Sequence, residues 1–219
     1  MIDFKLDPKS GVGYDNPNGI CTSSHESNCR GCNISDKLKC RFSASEWFKF
    51  LFLFSVFLVP GLIGMSRGGY SNQIGWMFVF WIFFFGFWEI KILCSHCPFY
   101  AKEGFGLECI ANFGCPKFWK YNPAPINRWE KFQLLVGFGI LFCYPIYFSI
   151  IGKQYLWAGL TALGTIVFFV ILGRNTCSKC VNFSCLFNRV PKEVVDEYLK
   201  KNEVMRKAWE EAGYKIGND

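Results

Sequence analysis

The chain has 219 residues, of which 51% are hydrophobic and 19% aromatic, with 25 Phe. That composition excludes an ordinary soluble domain and points to a membrane class. The net charge of +7 comes without a basic run of five or more, and the Lys and Arg are interspersed with acids, so a nucleic-acid partner is not expected. Two histidines, His25 and His96, lie outside the apolar runs, which rules out a bis-His haem between helices. Pro98 follows Cys97 and Val181 follows Cys180, so the C-x-x-C-H attachment signature of c-type haem is absent too.

Residues 1–43 form a first, cysteine-rich segment. The first 20 residues are polar and lack the basic start, apolar stretch and small-residue site of a cleaved signal peptide. Cys21, Cys29, Cys32 and Cys40 follow in a symmetric C-x7-C-x2-C-x7-C pattern. The residues between them are mostly polar and cannot bury enough apolar surface to order the segment, whereas a metal held by four thiolates supplies that folding free energy. The competing reading is a disordered tail with incidental thiols.

Four apolar runs of 18 to 20 residues come next: Trp47 to Met65, Ile74 to Leu93, Phe132 to Ile151 and Tyr155 to Leu172. At about 1.5 Å per residue each covers roughly 30 Å, the thickness of the hydrocarbon core. The predicted fold class is therefore an all-α membrane protein. Its four transmembrane helices are arranged as two hairpins, residues 44–93 and 130–172, with a cysteine-rich cytoplasmic layer and short C-terminal amphipathic helices. Glu89 and Lys91 read as boundary residues of the second run rather than a proton path. Pro60 and Pro145 are expected to kink the first and third spans. Of the 24 Lys and Arg, only Arg67 and Lys153 fall in the two short connections, leaving 22 on the side of the termini. By the positive-inside rule both termini are cytoplasmic, and the protein is placed in the plasma membrane if the source is prokaryotic.

The loop 94–129 carries Cys94, Cys97, Cys109 and Cys115, a C-x2-C-x11-C-x5-C pattern. His96 is the candidate to complete any group of three, although a polar surface histidine is the bland expectation for both His25 and His96. The aromatic stretch around Phe99, Tyr100, Phe118, Trp119 and Tyr121 reads as an interfacial belt. Asn122 to Asn127 is a stiff linker, and Asn127 is placed to cap the third span's helix. Cys143, in mid-bilayer, is read as a small packing residue. Residues 173–219 open with Cys177, Cys180 and Cys185, or C-x2-C-x4-C. They continue from Pro191 into two predicted amphipathic helices, interrupted near Asn202, that cover the cysteine layer or dock a partner.

Cys94-Ser-His-Cys97 and Cys177-Ser-Lys-Cys180 occupy equivalent places after even-numbered spans, as in a helix-pair repeat. Either the second group closes a site alone and the third borrows a ligand, or the two C-x-x-C pairs meet. Eleven thiols on a reducing face read as metal ligands first. Iron-sulfur clusters, 4Fe-4S in type, are preferred, and zinc is the alternative. The run Cys94 to Pro98 resembles the Cys-Pro motifs of membrane ferredoxin-type subunits of respiratory nitrate and nitrous oxide systems. The resemblance covers that run alone. Soluble ferredoxin repeats are missing and Val181 follows Cys180, so no family is assigned. A quinone-linked, four-helix vitamin K reductase is similar in placing C-x-x-C at a helix end, though eleven thiols on a reducing face speak against that class. The functional expectation is iron-sulfur electron transfer between a cytoplasmic donor and quinone or a partner subunit, with an oxidoreductase subunit as the enzymatic class. A zinc-stabilised membrane anchor or assembly subunit, and a membrane thiol-disulfide oxidoreductase, are the alternatives.

Overall fold

The computed structural model describes residues 16–24, 29 and 31–217. His25 and the residues before Asn16 lie outside that range. Gly106 and Pro116 form an isolated β-bridge. Four helices are long and apolar enough to cross a membrane. The first is α1, Ala44–Arg67. The second runs as α2, Ser71–Phe83, then a π-helical segment Phe84–Trp88, then α3, Glu89–Ile92. The third is α4, Arg128–Ile151, and the fourth α5, Tyr155–Asn175. Each is longer than its apolar run by a turn or less at an end, because polar residues such as Ser45, Glu46, Asn72 and Arg128 extend the helices beyond the hydrocarbon stretch.

Large apolar side chains stand exposed on the outside of all four spans, among them Phe52 at 75%, Ile82 at 69% and Leu156 at 71%. Such a surface suits lipid and not water. Inside, Phe57, Leu141, Phe142 and Phe168 form the bundle core. The helices approach closely where side chains are small. A Cβ placed on Gly164 of α5 would lie 2.7 Å from the Val56 carbonyl oxygen and 2.9 Å from the Phe57 Cα, so α1 and α5 touch backbone to backbone there. Gly137 of α4 leaves room for the ring of Phe84, which is completely buried.

Asn127 caps α4 as expected: its side chain accepts the Glu130 N–H at 2.9 Å, and Glu130 accepts the Asn127 N–H at 2.7 Å. The reciprocal bonds satisfy two backbone donors that a helix start leaves open. Two short amphipathic helices also form, α6 at Lys192–Lys200 and α7 at Glu203–Glu211. Their apolar faces, with Val194, Val195, Tyr198, Leu199, Met205 and Trp209, pack into one cluster with Ile20, Ile34, Leu38, Cys97 and Val181.

Two expectations are corrected. Glu89 is not a boundary residue reaching for water; it is 4% exposed and accepts a hydrogen bond from Asn112. The π segment just before it adds a residue to the turn and shifts the helix face, an irregularity often found at functional sites and invisible to a 3.6-residue period. His96 is not a surface residue: it is 5% exposed, with Nδ1 2.6 Å from the Ala124 carbonyl oxygen and Nε2 3.5 Å from Glu130. Both ring nitrogens are engaged in joining the Cys94–Cys97 turn to the start of α4, which leaves none to complete a thiolate set.

Candidate functional site

The two C-S-x-C segments fold alike. Leu93 and Thr176, which precede them, have nearly the same backbone angles, φ −124° ψ −53° and φ −111° ψ −52°. In each a short 3₁₀ turn follows, Cys94–His96 and Cys177–Lys179. In each the motif serine reaches back to the carbonyl four residues earlier: Ser95 to Lys91 and Ser178 to Arg174, both at 2.5 Å. The serine thus closes the last helical carbonyl and turns the chain so that the cysteines leave the helix end together. After α5 the chain folds back over the end of the second span. Asn182 donates to the Leu93 carbonyl at 3.3 Å, Asn188 to the Cys180 carbonyl at 2.8 Å, and the Arg189 N–H to the Cys177 carbonyl at 3.0 Å.

That folding brings both pairs to one cavity of about 150 Å³. Six cysteines line it: Cys94, Cys97, Cys109, Cys177, Cys180 and Cys185. The wall toward the bundle is aromatic, with Phe54, Phe85, Phe138, Phe142, Phe168 and Phe169. Glu89 and Asn112 add the polar groups, and the Asn112 amide also donates to Cys94 Sγ at 3.2 Å. Both C-x-x-C pairs line this one cavity. Cys115 is not on that wall; it packs against the cluster of Ile90, Tyr100 and Leu107.

In the first group, Cys21, Cys32 and Cys40 pack against the apolar cluster that holds Cys97, and Cys29 is an electrostatic neighbour of Cys40. Arg41 ties the segment, donating to the Thr22 carbonyl at 3.1 Å and to Cys29 Sγ at 3.2 Å. Asn202, 1% exposed at the α6–α7 junction, accepts the Cys21 N–H at 2.7 Å and donates to Cys21 Sγ at 3.3 Å. Asn202 and Asn112 were not legible as site residues. Asn202 showed only as the break between two helical faces, and a lone Asn in a loop carries no spacing signal.

The thiols within each group are electrostatic neighbours. Burial pushes Cys40 up to about 12, and the nearby Cys21, Cys29 and Cys32 add to the rise while Arg41 opposes it. Burial likewise raises Cys97, with Cys109, Cys180 and Cys185 contributing, and it pushes Cys180 and Cys185 up to about 12. Buried thiols of this kind are protonated at neutral pH unless a cation is bound, and a coordinating metal is the group that deprotonates them outright. Among the described residues, no three Cys, His, Asp or Glu side chains converge tightly enough to hold one metal ion. All twelve cysteines are free thiols, and Cys143 is exposed on α4 rather than packed in the interior. Comparison with models of protein families, with curated proteins and with solved structures finds no match to this chain.

Proposed function

We propose that the protein is a membrane-bound iron-sulfur electron-transfer protein. The observation that carries this reading is the cavity of about 150 Å³ lined by six cysteines drawn from two separate loops. A single zinc ion would need its four sulfurs about 3.8 Å apart, given a Zn–S bond of about 2.3 Å in a tetrahedron. Six cysteines on one cavity exceed the four ligands that a single zinc ion takes, and iron-sulfur clusters are likewise held by Cys thiolates. Side-chain N–H donors on Cys21, Cys29 and Cys94 support the same reading, since hydrogen bonds to ligand sulfurs stabilise the thiolate and tune a cluster's potential.

The finer topology belongs to this proposal. Two helical hairpins carry a cysteine-bearing layer at one end, and the excess of Lys and Arg puts that layer and both termini in the cytoplasm. Electrons arrive one at a time from a cytoplasmic donor and leave to quinone or to a partner subunit. Six of the eleven candidate ligands line the cavity; Cys21, Cys29, Cys32 and Cys40 belong to a separate group, and Cys115 lies off the cavity wall but near Cys109 and Glu89.

The test is purification of the full chain without oxygen, with iron, acid-labile sulfide and zinc assayed together. Broad visible absorption bleached by dithionite is expected, with an electron paramagnetic resonance signal on reduction. Colourless protein with stoichiometric zinc would instead establish the anchor reading. Replacement of Cys94 and Cys97 by Ser with no loss of any metal would favour thiol-disulfide chemistry.

A further inference from the structure

The two thiol groups are joined at two points, and each joint lies directly beside a cysteine on both sides. The Lys39 N–H donates to the Lys179 carbonyl at 2.7 Å; Lys39 precedes Cys40 of the first group and Lys179 precedes Cys180 of the cavity. The Thr22 hydroxyl contacts the Pro98 carbonyl at 3.4 Å; Thr22 follows Cys21 and Pro98 follows Cys97. Packing repeats the connection. Cys97 is a buried member of the same apolar cluster against which Cys21, Cys32 and Cys40 pack, and Tyr198 and Tyr121 belong to that cluster as well. Tyr198 is within electrostatic reach of Cys21, Cys40 and Tyr121, and Tyr121 is within reach of Cys97.

We infer that the chain holds two distinct redox centres in direct electronic contact, one on Cys21, Cys29, Cys32 and Cys40 and one on the cavity thiols, coupled through the Lys39–Lys179 hydrogen bond and the packing around Cys97. This rests on the iron-sulfur reading. The four thiols of the first group are all partly exposed, whereas the cavity group includes the buried Cys94, Cys97 and Cys177 and faces the aromatic interior of the bundle. The first centre is therefore the one a soluble one-electron donor reaches. That donor loses one electron and the first centre is reduced by one. The electron then passes to the cavity centre, which is reduced as the first is reoxidised, with no bond broken and no proton transferred. A short hydrogen-bonded path suits such a step, because the Lys39–Lys179 bond links the two cysteine-bearing segments directly.

The experiment uses the full chain, purified without oxygen and reduced with dithionite. The expected electron paramagnetic resonance spectrum is broadened or split by interaction between two paramagnetic centres, since the dipolar coupling of close spins is large. In Cys32→Ser, iron and sulfide are expected to fall by about half while the remaining signal sharpens to that of one isolated centre. Two independent, additive signals in the wild type would overturn the coupling, and unchanged iron in Cys32→Ser would overturn the first centre. The wild-type spectrum decides the coupling even if the variant does not fold. Wild-type protein without iron defeats the underlying function as well, whereas iron with no magnetic interaction defeats this inference alone.

Discussion

Cys109 and Cys115 lie in one loop but in different surroundings. Cys109 is on the cavity wall, while Cys115 is off it, packed against the cluster of Ile90, Cys94, Tyr100 and Leu107. Spacing gave the two equal weight, because a C-x11-C-x5-C interval carries no information about which way a glycine-rich loop turns. Cys109→Ser is expected to remove iron from the cavity centre, and Cys115→Ser to leave iron content unchanged; metal analysis of the two variants separates the roles. Asp196 shows a second residue-level effect. It is 7% exposed, and burial alone would raise its carboxyl, but Lys192, the Gly217 N–H and the Tyr214 hydroxyl together hold it below the ordinary value. A carboxyl depressed in the folded state contributes stability above its unfolded pKa and loses it as pH falls through the folded one. Asp196→Asn is therefore expected to loosen α6 and the chain end at neutral pH by about 1–2 kcal/mol, as for the loss of charge-assisted hydrogen bonds. The gap between variant and wild type should shrink as pH drops below about 4. Hydrogen exchange of residues 192–217 at neutral and acid pH reads this directly.

At the level of elements, the packing of α1 on α5 depends on Gly164. A side chain there meets the Val56 carbonyl and the Phe57 Cα, which are backbone atoms that cannot rotate away. Gly164→Leu is expected to separate the two helices and lower the melting temperature in detergent, with a cost of about 1–3 kcal/mol or more, as for overpacking of a tight interface. Gly159, on the same helix, has open space where a Cβ would go and is the control: Gly159→Ala is expected to be neutral or slightly stabilising. The helices themselves were legible because long apolar runs, the Asn127–Glu130 pair and the amphipathic period of α6 and α7 are local signals. The π segment at Phe84–Trp88 was not, since an inserted residue leaves no mark in composition, and the inward turn of Glu89 went with it. The burial of His96 was hidden for a related reason. Its partners, Ala124 and Glu130, lie far along the chain and are brought to it by the linker that docks through the Asn122 N–H on the Ser95 carbonyl at 2.8 Å.

For the whole molecule, the order of segments places thiols before α1, between α3 and α4, and after α5, and these three segments contact one another. Hydrogen bonds run from Lys39 to Lys179, from Thr22 to Pro98, and from Asn182 to Leu93. Segments in mutual contact must lie on one side of any membrane that the four helices cross, so the thiols share a single fate in a sidedness experiment. In the proposed topology the 22 Lys and Arg that accompany them lie on the cytoplasmic side. A membrane-impermeant maleimide is thus expected to label no cysteine in right-side-out vesicles. In inverted vesicles the reagent should label few thiols while metal is bound, because a coordinated thiolate is occupied, and several more after an iron chelator has been added. Cys143 faces lipid on α4 and should remain unlabelled in both orientations, which gives an internal reference. Labelling of the loop cysteines from the outer face would reverse the orientation and place the thiols in an oxidising compartment, where disulfide chemistry rather than metal binding becomes the expected use of so many cysteines. Labelling that is confined to the inner face but insensitive to the chelator would keep the topology and remove the metal, so the two halves of the functional argument fail separately.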